Sequence, residues 1–228
     1  MRPNPIARYK YQALLLAILT LLVAYPVVGG PAGSPVLKVL LTTVFLAGGL
    51  VVFADHRLRV VAVVLGAPAV LGAWTGYVLP EEHGRAVAAF FHASALVFFL
   101  FVIAVLLRGV SRERTVSVDA VAAAICGYLL LGVAFGHAYS LVEVVEPGAF
   151  RGLEPGAGED QTFFRLTYFS FVTLTTVGYG DITPSRDTAR SLAVVEAVAG
   201  QFYLAVLVAD LVGKRVAQAL TAGPPSAN

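Results

Sequence analysis

Six long apolar runs constrain what this chain can become. They cover about Gln12 to Val28, Val36 to Ala54, Val60 to Leu79, Ala86 to Leu107, Val118 to Ser140 and Thr188 to Gly213. A helix that crosses the hydrocarbon core needs roughly 20 mainly apolar residues, so each run is long enough to span a bilayer. The sixth contains Glu196 and Asp210 and is otherwise apolar. None alternates with the period of two expected of a barrel strand. Only 13% of the 228 residues are charged and 58% are hydrophobic, too little polar surface to coat a soluble globule of this size. A net charge of +2 gives no reason to expect nucleic acid as a partner, and the single cysteine, Cys126, cannot form an internal disulfide. The expected fold is an all-α integral membrane protein with six transmembrane helices.

The breaks between runs agree with this parsing. Gly29 to Pro35, Asp55 to Arg59, Pro80 to Arg85 and Arg108 to Thr115 are short, so successive helices should run antiparallel. With the N-terminus in the cytosol, ten of the 16 Lys and Arg residues fall on the inner side, Arg57, Arg59, Arg108, Arg112, Lys214 and Arg215 among them. Basic residues in short loops set orientation, so both termini are expected to be cytosolic. Arg2 to Lys10 before an apolar run also has the pattern of a signal peptide, whose cleavage would leave the remaining topology unchanged.

One connection is long, from Leu141 to Asp187. It holds a further apolar run, Phe163 to Leu174, too short to cross a membrane, followed by Thr175-Thr176-Val177-Gly178-Tyr179-Gly180-Asp181. Non-helical backbone at membrane depth is tolerated where protein buries it or water lines it. A re-entrant half-helix followed by a glycine-punctuated strand meets that condition. A dehydrated cation needs oxygens in place of its water shell. Successive backbone carbonyls supply them if they point one way. Gly178 and Gly180 permit the backbone angles this requires. Val177 and Tyr179 can then turn their side chains outward into packing, and Thr176 can add its hydroxyl.

At this segment the chain resembles the tetrameric potassium-channel family, whose filter Thr-Val-Gly-Tyr-Gly stands here as Thr176 to Gly180 without a substitution. The resemblance covers roughly residues 113 to 215. It divides the chain into a four-helix membrane module, 1–112, and a pore domain, 113–228. It implies a homotetramer in a lipid bilayer, with a re-entrant pore helix and a selectivity filter from each subunit. Potassium is then the permeant ion, bound by the carbonyls of Thr176, Val177, Gly178 and Tyr179. Gly180 completes the filter, and Thr175 and Asp181 flank and support it. Tyr168 and Phe169 stand where the family has an aromatic pair packed around the filter tyrosine, and Tyr168 could donate a hydrogen bond to Asp181. Val172 stands where some bacterial members carry a glutamate that contacts the filter aspartate. Gly200 falls at the glycine hinge of the pore-lining helix. No cofactor and no catalytic residue is implied.

The remaining residues are read from their own chemistry. Gln201, Leu204, Val208 and Val212 recur at helical spacing and could face a cavity, the last three as an apolar constriction. Gly200 can serve as a bend or permit close helix packing. Glu196 is costly at membrane depth. It is expected to accept hydrogen bonds from Ser170 or Thr173 behind the filter, or to be a protonatable gating group. Asp210 could draw cations or pair with Lys214 four residues on. Glu143, Glu146, Glu154, Glu159 and Asp160 suggest an acidic outer vestibule. The fourth run, Ala86 to Leu107, contains no Lys or Arg, so a voltage sensor of the arginine-rich kind is expected to be absent. Trp74 and Tyr77 read as interfacial anchors. His92 and His137 read as isolated packed residues, His56 and His83 as loop residues. The residues after Arg215 read as too few for a ligand-binding gating domain. A non-conducting regulatory or scaffolding subunit that kept the pore fold is the alternative. An intramembrane enzyme using His92, His137 and Glu196 has no motif behind it.

Overall fold

A computed structural model describes residues 9–28, 34–52, 56–75, 84–113, 115–154, 156 and 158–221. Tyr77 and His83 lie outside the described residues. The elements run α1 (Lys10–Val28), α2 (Ser34–Val51), α3 (His56–Thr75), α4 (Gly84–Arg112), α5 (Val118–Val145), β1 (Phe150–Arg151), α6 (Glu159–Leu174), β2 (Thr183–Pro184) and α7 (Asp187–Thr221). The six expected runs become six helices, and the short run becomes α6, which starts four residues earlier than its apolar stretch. His56 is the first residue of α3 rather than a loop residue.

By length and composition α3, α4, α5 and α7 can cross a membrane, whereas the apolar stretches of α1 and α2 are shorter, Lys10–Ala24 and Pro35–Val51. The 18 residues of α2 rise only about 27 Å, slightly less than a hydrocarbon core of about 30 Å.

Local chemistry fixes where α5 begins. Ser117 caps α5 by accepting from the Ala120 amide at 3.0 Å, and its hydroxyl donates to Glu113 at 2.7 Å. Asp119 sits in the first turn of α5, and Glu159 and Asp160 in that of α6, where helix dipoles favour negative charge.

The helices share one apolar core. Leu14, Ile18, Phe45, Phe98, Phe99, Leu106, Leu130, Phe163 and Leu174 all belong to it. The division at residue 113 is therefore a division of sequence, and packing runs across it. Cys126 on α5 donates to the Tyr11 carbonyl, and Gln12 donates to Asp119 at 2.8 Å. The N-terminal helices thus pack on the α5 of their own chain.

A notched face lets α5 approach α6 and α7 closely. A Cβ on Gly132 would lie 2.7 Å from the Phe171 ring, and one on Gly136 would overlap the Thr167 hydroxyl. Small residues at such crossings are how membrane helices bring their backbones together. A second, smaller core joins Tyr139, Phe150, Leu166, Phe169 and Ile182. It is closed by β1 and β2, antiparallel with Phe150 opposite Pro184 and Arg151 opposite Thr183.

Candidate cation pathway

The helix α6 ends at Leu174, and carbonyls of its last turn organise the strand beyond it. The Thr175 amide donates to Phe171, the Thr176 amide to Thr173 at 3.0 Å, and the amides of Val177 and Gly178 to Val172 at 2.9 and 3.3 Å. Val172, placed by resemblance at a side-chain position of interest, here acts through its backbone carbonyl. No described backbone amide takes a carbonyl of Thr176, Val177, Gly178, Tyr179 or Gly180.

Thr176, Gly178 and Gly180 have φ of +61°, +61° and +77°. In an extended strand successive carbonyls point to opposite sides. Reversing the backbone hand at every second residue turns them toward one side. The glycines adopt this hand freely. Thr176 is the only described non-glycine residue with positive φ, an arrangement that costs about 1–2 kcal/mol for a residue with a Cβ. Composition pointed to the two glycines and missed the threonine.

Val177 and Tyr179 are left largely uncovered by their own chain, 51% and 71% exposed. Tyr168, also exposed, meets Asp181 through its hydroxyl. Phe169 does not pack around Tyr179 of its own chain. Its ring lies 5.1 Å from that of Tyr139 and 5.5 Å from that of Phe150, in the second core. Consecutive residues on a helix sit about 100° apart, so Tyr168 and Phe169 serve different sides of α6. Asp181 is held from behind, since its carbonyl occupies the space that a Cβ on Gly152 would need.

Glu196 is fully buried and ties three helices. Tyr139 of α5 and Ser170 of α6 both reach its carboxyl group, and Ser170 also faces the Gly132 carbonyl at 2.8 Å. The expected partner Ser170 is present. Tyr139, at the end of a helix remote in sequence, takes the place expected of Thr173.

The α7 helix is continuous through Gly200, where a Cβ would meet Leu174 at 2.6 Å. The glycine therefore serves close packing beneath α6 in this conformation. Beyond it, Gln201, Leu204, Val208 and Val212 do share a face, lining with Ala205 and Ala209 an open groove of about 560 Å³. Two tyrosines brace this region from α5 and α7: Tyr128 donates to the Leu174 carbonyl at 3.2 Å and Tyr203 to that of Ala124 at 2.6 Å. Further along α7 Lys214 donates to Asp210 at 2.6 Å and to the Val110 carbonyl of α4 at 2.8 Å.

The carboxylates of the long connection are engaged locally, Glu154 and Asp160 with basic side chains and Glu143 and Glu146 with neutral donors that leave their charge in place. Glu143 accepts from the amides of Gly148 and Phe150, Glu154 pairs with Arg165, Glu146 accepts from Thr188, and Asp160 pairs with Lys38 at 3.4 Å.

His92 and His137 are not isolated. Their Nδ1 atoms are 2.9 Å apart, and His92 Nε2 lies 3.6 Å from Glu159 Oε1. Partial burial first, and then neighbouring Asp160, raise the Glu159 carboxyl above the ordinary carboxylate range, with Lys38 opposing. The separation of 45 residues in sequence hid the histidine pair.

Residues 123–216 match the family model described as Ion channel. No curated protein and no solved structure matches the chain. Laid over α5, α6, the strand after it and α7, the family match supports an ion-channel domain in a membrane protein.

Proposed function

We propose that the chain is one subunit of a homotetrameric potassium-selective channel of the cell membrane, with six spans, both termini cytosolic and passive conduction. The observation that carries this reading is the strand Thr176 to Gly180, with its alternating backbone hand and unengaged carbonyls. Four such strands around an axis would stack rings of oxygens able to replace the hydration shell of potassium. The exposed Val177 and Tyr179 would be covered by the neighbouring copy, whereas the α7 face of Gln201, Leu204, Val208 and Val212 would line a cavity. Glu196, with Tyr139 and Ser170, would hold α6 against α5 and α7, so that the strand keeps its width.

The lack of voltage sensing belongs to the same proposal. A membrane field acts on charge at about 2.3 kcal/mol per elementary charge per 100 mV, and Ala86 to Leu107 of α4 offers none.

The test is flux from proteoliposomes containing the purified chain. A potassium gradient should drive current, an equal sodium gradient far less, and barium should stop it. Conduction should not depend steeply on voltage. No barium-sensitive potassium flux under any condition of pH or tension would overturn the reading.

A further inference from the structure

We propose that His92, His137 and Glu159 form an acid-sensitive latch that fastens α4 to α5 beside the first turn of α6. The latch itself stands on local geometry, and its effect on conduction rests on the channel reading above. Three elements meet there: α4 brings His92, α5 brings His137, and α6 brings Glu159 and Phe163.

Both rings are buried, and neither Nε2 has a hydrogen-bond partner. At 2.9 Å the two Nδ1 atoms share one proton, so one ring donates and the other accepts. The arrangement that turns an N–H toward the Glu159 carboxylate puts the His92 proton on Nε2. His137 then donates from Nδ1 to His92 Nδ1.

A further proton on the accepting nitrogen would set two N–H groups against each other across 2.9 Å, and the pair must part. Around His137 the cage is aromatic, with Phe163 at 4.3 Å and Phe91 and Phe99 at 5.4 and 5.7 Å, so the new charge on His92 has Glu159, 3.6 Å from its Nε2, as its counterion. The charged groups around it are few. From α6 come Glu159 and Asp160, and from α2 comes Lys38, paired with Asp160. Arg85 of α4 donates to the Val144 carbonyl, and Glu143 of α5 is turned to the Gly148 and Phe150 amides. Glu159 is 49% exposed and gives protons a route to the pair.

The latched state holds one proton fewer than the parted one. Linkage therefore weakens it as pH falls through the ordinary histidine range, about 6.5, by up to tenfold per pH unit for one proton. Parting breaks the hydrogen bond that joins α4 to α5 and draws the charged His92 ring toward Glu159, in the first turn of the helix that organises the strand.

Hydrogen–deuterium exchange on the full chain in lipid nanodiscs tests this at about pH 7.5 and about pH 5, on either side of the histidine range, corrected for intrinsic rates. Amides of residues 92–96 and 137–141, in the two helices the pair joins, should lose protection in acid by up to about tenfold per unit, while those of 120–130 hold theirs. Unchanged protection of 92–96 and 137–141 in the wild-type chain would overturn the latch with no variant needed. His92→Gln and His137→Gln, each with a neutral amide, should abolish the acid response. Glu159→Gln should keep it and move it to lower pH. A response that survived both histidine variants and vanished in Glu159→Gln would also overturn it. In proteoliposomes, potassium flux should fall on external acidification in the wild type and not in the histidine variants. Absence of flux at every pH would sink the channel reading and leave the exchange result to judge the latch.

Discussion

Thr176, Gly178 and Gly180 share one backbone hand, and substitutions separate that demand from the demand for space at Gly152. Gly178 has φ +61° and open space around its missing Cβ. Gly178→Ala should therefore cost about 1 kcal/mol in backbone strain without a clash. The assembly should persist on a native gel while potassium selectivity fails in liposome flux. Gly152 is a different case. Its φ is +88°, and a Cβ would run into the Asp181 carbonyl. Gly152→Ala must push the Asp181–Ile182 backbone away, so folded yield in detergent should fall well below that of Gly148→Ala, whose φ of +80° meets empty space. Gly178 and Gly180 were readable from the motif alone. The inverted hand of Thr176 and the squeeze at Gly152 were not, because each depends on contacts that no residue type announces.

Among the elements, α6 depends most on its neighbours. One serine hydroxyl carries one proton, yet Ser170 faces both the Gly132 carbonyl and Glu196. Both contacts are satisfied only if Glu196 can donate to Ser170 while it accepts from Tyr139. Glutamine can do the same: one end accepts, the other donates. Glu196→Gln should keep both thermal stability and flux. Glu196→Leu should lower the melting temperature in detergent, because it strands buried hydroxyls at a cost of about 1–3 kcal/mol each. Apolar run length made the helices legible, though α4 and α5 run five residues and α7 eight residues beyond the ends of their apolar runs. What the sequence could not reveal was which faces meet. Tyr139 reaches Glu196 across 57 residues, and His92 reaches His137 across 45. Such pairs are created by helix packing and leave no local spacing to read. Phe169 illustrates the reverse: an adjacent aromatic pair looked like one unit, yet helical geometry sends its members to different sides.

For the whole molecule, the apolar core that crosses residue 113 makes the N-terminal helices part of the pore's own packing. Gln12 and Asp119 meet at 2.8 Å within one chain. Cysteines placed at both positions and joined by a short bifunctional reagent should give a product with the mass of a single chain. A product of double mass would mean that the module sits on a neighbour instead. Native mass spectrometry should give four chains per particle. Val177 and Tyr179, left uncovered by their own chain, carry a further consequence for inheritance. If every oxygen ring draws on four copies, a cell making equal amounts of normal and Gly178→Ala chains would assemble wholly normal pores about one time in sixteen by random mixing around a symmetric ring. A lesion in this strand should therefore behave as dominant, whereas one that merely prevents folding should be recessive.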